Sequence, residues 1–252
     1  MSRSSRFPQG LANSNGMVGK HLMFDAGFSA YGVFEHPLNE FKSVQTTRVI
    51  HDFYEPDPKR GFHGGGGIDA RFDFYPASFA LFPLPQDAPR WSSDWKAMVS
   101  RNFNHTMMVL GHATCLPQER NSITLDPQVK DSWGLPAMRI TFDYHPDDVR
   151  TMKFLLERQV EILQAAGAQK LWTDQTDVYY LPHRHLMGTC RMGDDAKTSV
   201  VDPHHRTHDV SNLFIVDGSS FVTACCQPTC TIQALAYRAA DHIAREARKA
   251  VI

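Results

Sequence analysis

His185-Leu-Met-Gly-Thr-Cys-Arg-Met-Gly193, Ser199-Val-Val-Asp202, Asn212-Leu-Phe-Ile-Val-Asp-Gly-Ser219 and Gln227-Pro-Thr-Cys-Thr-Ile-Gln-Ala-Leu-Ala-Tyr-Arg-Ala-Ala-Asp241 follow one another in this order. Gly188 and Gly193 make the first stretch an irregular loop. Leu213 to Val216 is a short apolar run of strand type, and Asp217-Gly218-Ser219 turns the chain directly after it. Glycine has no side chain, so such a strand-to-turn step can bring backbone amides close to a ligand; an Asp-Gly pair is also an ordinary turn. From about Thr231 to Ala250, the spacing of Ile232, Leu235, Ala236, Ala239, Ile243 and Ala247 predicts a helix with one apolar face.

Working outward, the clearest helical pattern follows Pro146 and Asp147. Val149, Met152, Leu155, Leu156, Val160 and Leu163 recur at helical spacing, and Gly167 stands where a C-terminal cap belongs. Asp94 to Arg101 is also rich in helix formers. Alternation or β-branched and aromatic content predicts strands within 22–34, 44–54, 68–75 and 107–116. A hairpin is read from Asn121 to Tyr144, its arms 121–126 and 138–144 joined by a turn over 127–134. Pro83, Pro85 and Pro89 mark an irregular connection, and no internal repeat or low-complexity tract interrupts the chain.

Composition sets wider bounds. The 252 residues, 42% apolar and 21% charged, describe an ordinary globular protein. Basic and acidic side chains number 26 and 27, and no Lys/Arg stripe could track phosphates, so nucleic acid is a poor expectation. The basic start Met1-Ser-Arg-Ser-Ser-Arg-Phe-Pro has no apolar region after it, and no apolar run is long enough to span a bilayer. The expectation is a cytoplasmic chain without a visible secretion signal, or a periplasmic one if it is exported with a partner or with a missing N-terminal segment. Five cysteines do not make a disulfide framework and read as reduced thiols.

Chemistry points first to His185. An imidazole with its ordinary pKa of about 6.5 can take the proton of a substrate hydroxyl as the carbon beside it releases hydride. The plain alternative is a histidine hydrogen-bonded in a loop. Gln227 comes next, since its amide can both donate to and accept from a substrate oxygen; the alternative is a helix cap. The ordered string 185–241 resembles the C-terminal signature of the glucose-methanol-choline (GMC) oxidoreductases. In that family the first histidine of a His-x-x-Gly-Thr-Cys-x-Met motif is the base, and Gly188, Thr189, Cys190 and Met192 match it here. The resemblance implies FAD as cofactor, with Asp217, Gly218, Gln227, Pro228 and Thr229 near the flavin. It implies His185 and Gln227 as the catalytic pair, Gln227 replacing the family's usual Asn or His.

Weaker likeness covers most of the chain. Leu11-Ala-Asn-Ser-Asn-Gly-Met-Val-Gly-Lys-His-Leu-Met23 and the hairpin segments Asn121 to Pro127 and Asp131 to Pro136 resemble the bacterial sugar and polyol dehydrogenase branch, near the gluconate dehydrogenase flavoprotein subunit. The implied fold is α+β: an antiparallel sheet of about six strands with helices on one face, the family's substrate-binding domain, plus a strand-loop-helix belonging to the FAD domain. The implied organisation is a remnant of the FAD domain over 1–23, the substrate-binding domain over 24–180, and the catalytic loops with the last part of the FAD domain over 181–252. The chain has no G-x-G-x-x-G turn. It is therefore expected to be the catalytic half of such an enzyme, a fragment or a split subunit, needing an N-terminal FAD-binding half and an electron-accepting subunit as partners. Its expected substrate is an alcohol, sugar or polyol, with a dehydrogenase favoured over an oxidase; a non-catalytic domain that keeps the fold is the rival.

Other clusters carry less. Gly64 to Gly67 lacks the Gly-Lys-Ser/Thr of a phosphate loop. His183, His185, His204, His205 and His208, with Cys225, Cys226 and Cys230, show neither zinc-finger nor H-E-x-x-H spacing, so no metal is expected; the three cysteines read as small buried hydrophobes.

Overall fold

A computed structural model describes residues 2–71, 74–81, 84–174, 185–224 and 227–249. The chain divides into two compact units. One consists of 26–114 and 146–180, the other of 1–25, 115–145 and 181–252.

The first unit is built on a five-stranded antiparallel sheet. Its strands are β1 (Ser29–Val33), β2 (Thr46–Ile50), β3 (Gly66–Arg71), β4 (Thr106–Ala113) and β7 (Lys170–Thr173), in the order β2-β3-β4-β1-β7. Side chains alternate across the pleat. Tyr31, Met108 and Leu110 form an apolar cluster, joined by Phe74 and by Trp172, whose ring stacks on Tyr31 at 5.4 Å. The helix α3 (Pro146–Ala165) lies against β1, β3 and β4, burying Met152, Leu155, Leu156 and Leu163. Small residues of the sheet, Ala30, Gly32 and Gly111, leave room for it, and the buried Gln159 accepts a hydrogen bond from Ala30 N at 3.1 Å. Gly167 follows the helix at φ +89°, as the capping signal required.

The short helices α1 (Pro76–Leu81) and α2 (Ser92–Asn102) also belong to this unit. Gly66 and Gly67 open β3, so the glycine run is the start of a strand as well as a loop. Asp69, on β3 and fully buried, is 3.1 Å from both Arg71 Nη2 and His112 Nε2. A buried carboxylate needs such partners.

The second unit holds the hairpin β5 (Ser122–Lys130) and β6 (Pro136–Thr141), with a register shift between Leu125 and Lys130, and the long helix α4 (Thr229–Arg248). Much of the rest is irregular backbone joined by isolated bridges. The apolar run 213–216, expected as a strand, makes one bridge, Arg206 to Phe214. The antiparallel sheet, the hairpin and the two long helices give the expected α+β class. Cys230, expected to be buried, is exposed, because it falls on the side of α4 away from its apolar face. No helix among the described residues is long and apolar enough to cross a membrane.

Candidate functional site

All the expected site residues lie in the second unit. The loop 185–193 is held there by main-chain bonds to three other segments. Met23 and Met187 exchange N–H···O=C bonds of 2.9 and 3.0 Å, and Gly19 N donates to Thr189 O at 2.8 Å. Gly188 N, Cys190 N and Met192 N donate to the carbonyls of Gly218, Ser219 and Ser220 at 3.3, 2.8 and 2.8 Å. Gly193 N donates to Val201 O, while Val200 N donates to Arg191 O, both at 2.9 Å. Three of the four pieces of the ordered sequence string are thus cross-braced by main-chain bonds: the loop, the Ser199–Asp202 piece and the turn 217–219 with Ser220.

Two glycines make this bracing possible. Gly188 has φ +94°, and a Cβ on it would stand 2.0 Å from His21 O. A Cβ on Gly218 would stand 2.7 Å from Leu186 O. The glycine of the Asp-Gly turn therefore serves close approach of two backbone segments within the chain itself.

His185 has φ 52°, a left-handed conformation uncommon for a residue with a Cβ. Its ring nitrogen Nδ1 is 3.2 Å from Asp25 Oδ2; the histidine side chain is 25% exposed and the aspartate 3%. Sequence reasoning passed over Asp25, which stands 160 positions away and two residues beyond the recognised segment ending at Met23. Gln227 is exposed and also left-handed, at φ 51°. The N-cap of α4 is Pro228, with no side-chain capping bond, so capping is not what Gln227 contributes at that position. Asp217 caps the 3-10 turn Gly218–Ser220, accepting from Ser219 N at 2.8 Å and Ser219 Oγ at 2.5 Å. Burial pushes the Cys190 thiol up from its ordinary pKa.

The neighbouring histidines have structural engagements. His205 is buried, with Nδ1 2.8 Å from Ile215 O; His208 Nε2 is 2.9 Å from Ser199 Oγ; His204 stacks on His242 at 4.1 Å. His183, Cys225 and Cys226 lie outside the described residues. A cavity of about 350 Å³ opens beside Thr189 and Cys190, lined also by Ala12, Val18, Gly19 and Leu213.

Residues 117–236 match the family model described as GMC oxidoreductase. The chain belongs to the GMC oxidoreductases. A similar protein is 2-methyl-1,2-propanediol dehydrogenase of Mycolicibacterium austroafricanum, 38% identical over 97% of this chain and 45% of its own length. The gluconate 2-dehydrogenase flavoprotein of Pantoea cypripedii is 33% identical over 64% of this chain and 27% of its own. The GMC chain therefore spans less than half the length of these relatives. Among solved structures, pyridoxine 4-oxidase from Mesorbium loti superposes with a TM-score of 0.59 at 16% identity, over 90% of this chain and 43% of the other, a likeness of fold alone.

Proposed function

We propose that this chain is the substrate-side, catalytic half of an FAD-dependent dehydrogenase that oxidises a CH–OH group of an alcohol, sugar or polyol. The observation that carries the reading is the half-buried His185 imidazole, paired with a buried carboxylate on a loop braced to the 217–220 turn. Family membership supports the reaction class. The names of the two relatives above, both dehydrogenases, support an acceptor other than oxygen.

The residues present fit one side of a flavin nucleotide. Helix α4 opens at Pro228 with no side-chain cap, and Thr229 and Cys230 of its first turn are exposed, an arrangement suited to an anionic group. Gln227, exposed beside it, offers an amide donor and acceptor. Asp217, Gly218, Gln227, Pro228 and Thr229 would hold the cofactor. When bound, FAD supplies the hydride acceptor. His185 accepts the proton of the substrate hydroxyl as the carbon–hydrogen bond breaks, which removes the charge penalty of forming a protonated carbonyl. Gln227 donates to the same oxygen and fixes its position.

The test is to purify the chain alone and with a co-expressed dinucleotide-binding half from the same family, recording flavin absorbance and dye reduction with a panel of alcohols and polyols. Flavin bound in the pair, dye reduction faster than oxygen consumption, and a loss of about 10²–10⁴-fold in kcat for His185→Ala at unchanged flavin content are the expected results. A folded pair that stays colourless, or a His185→Ala variant as active as the parent, overturns the reading.

A further inference from the structure

The structure assigns Asp25 as the positioning residue of His185: it holds hydrogen on Nδ1, so that Nε2 carries the lone pair for a substrate proton. The assignment rests on the proposed role of His185 and concerns a residue with no part in the sequence signature.

The pairing is set by the backbone. Met23 and Met187 form an antiparallel bridge, exchanging both main-chain hydrogen bonds. The bridge fixes the two segments side by side, so positions 25 and 185, each two residues from it, lie within reach of one another, although His185 itself leaves the extended conformation at φ 52°. There His185 Nδ1 stands 3.2 Å from Asp25 Oδ2.

Asp25 is itself held. Tyr144 Oη donates to Asp25 O at 3.3 Å, and the rings of Phe24, Phe142 and Tyr144 stack edge-to-face in a row, with centroids 4.8 and 4.9 Å apart. Asp25 and Tyr144 are buried. A carboxylate at this depth stays charged only with hydrogen-bond donors, and an imidazole N–H is one. Because an ionised carboxylate only accepts, the nitrogen facing it must be the protonated one. The remaining nitrogen is then the proton acceptor, the state a general base needs.

Asparagine at this position keeps the shape but can turn its NH2 toward Nδ1, which favours the opposite tautomer. The experiment is nitrogen-15 NMR of the His185 ring in the full chain, comparing the parent with Asp25→Asn and Asp25→Glu, alongside kcat and KM of the flavin-loaded pair. The parent is expected to show Nδ1 protonated and Nε2 unprotonated in the neutral ring. Asp25→Asn should reverse the two signals and lower kcat by about 10²–10⁴-fold with KM changed no more than a few-fold. Asp25→Glu should retain the parent tautomer and recover part of the activity.

A parent ring protonated on Nε2 overturns the assignment even if neither variant folds. So does an Asp25→Asn ring with unchanged signals. A parent ring with the expected tautomer in a pair that oxidises no alcohol leaves the ring's positioning intact and removes the proposed reaction.

Discussion

Replacing Gly188 by alanine tests whether the loop carrying His185 is built by close backbone approach. The structure gives two separable costs. An L-residue at φ +94° is strained by about 1–2 kcal/mol. The new Cβ would also stand 2.0 Å from His21 O, a backbone atom that cannot rotate away. The loop must move, which breaks or weakens the Gly188 N to Gly218 O and Cys190 N to Ser219 O bonds, each contributing about 1 kcal/mol net. The sum is about 3–4 kcal/mol. Gly134, in the same unit, has φ +81° with nothing within 4 Å of its would-be Cβ, so Gly134→Ala carries only the strain of about 1–2 kcal/mol. With a urea slope of roughly 2 kcal/mol/M, the midpoint of the α4-containing unit should fall by about 1.5–2 M for Gly188→Ala and about 0.5–1 M for Gly134→Ala. Urea-dependent hydrogen exchange in α4 peptides reads this unit separately. Equal midpoints for the two variants would refute the reasoning, since the contact with His21 O would then contribute nothing.

Three further outcomes follow from single features. Leu155, 1% exposed where α3 meets the sheet, should cost about 2–5 kcal/mol when cut to alanine, seen as a lower urea midpoint for exchange of β4 amides. Bonds from the Val129 and Gln128 amides, and then from Arg139, hold Asp126 down to about 2 against an ordinary 3.8. A depressed carboxylate stabilises above the ordinary value and loses that contribution as pH falls toward the folded one, so β5–β6 amide protection should drop between about pH 4 and pH 2. Asp126→Asn should flatten that dependence, as followed by hydrogen exchange at Gln128 and Val129. Iodoacetamide at mildly alkaline pH should label exposed Cys230 at least about tenfold faster than Cys190, whose thiol burial pushes up, with peptide mass spectrometry as the readout.

Long periodic elements were legible in the sequence. The helix read from Pro146 to Gly167 is α3, and the one read from about Thr231 to Ala250 is α4, because each carries an apolar stripe over several turns. The hairpin arms were also visible, though β5 extends to Lys130 into what reads as a turn; Pro127 and the register shift there disguise it. Two short elements escaped. Helix α1 is six residues in a proline-rich stretch, and β7 is four residues whose pairing with β1 no local pattern announces. At 213–216 the apolar content is that of a strand, but the structure forms none there. That run pairs through Phe214 alone, its side chains packing instead against Ala12, Val200 and Val201 through Leu213 and Ile215.

The site divides along the same line. His185, Asp217 and Gln227 could be singled out because their neighbours in sequence form an ordered string, and such a string is local information. Asp25 and Asp69 could not, since what gives each its meaning is a partner reached by strand pairing. Asp69 meets His112 because Ile68 and Gly111 are neighbours across β3 and β4, and Asp25 meets His185 two residues away from the isolated bridge between Met23 and Met187. Backbone pairing therefore selects which acid an imidazole meets, and it does so through residues that carry no chemistry of their own. A substitution disturbing the 23–187 bridge should change the environment of His185 without touching either ionisable group. That separates two kinds of variant: one that removes the carboxylate alters the ring's tautomer, while one that shifts the register removes the pairing altogether.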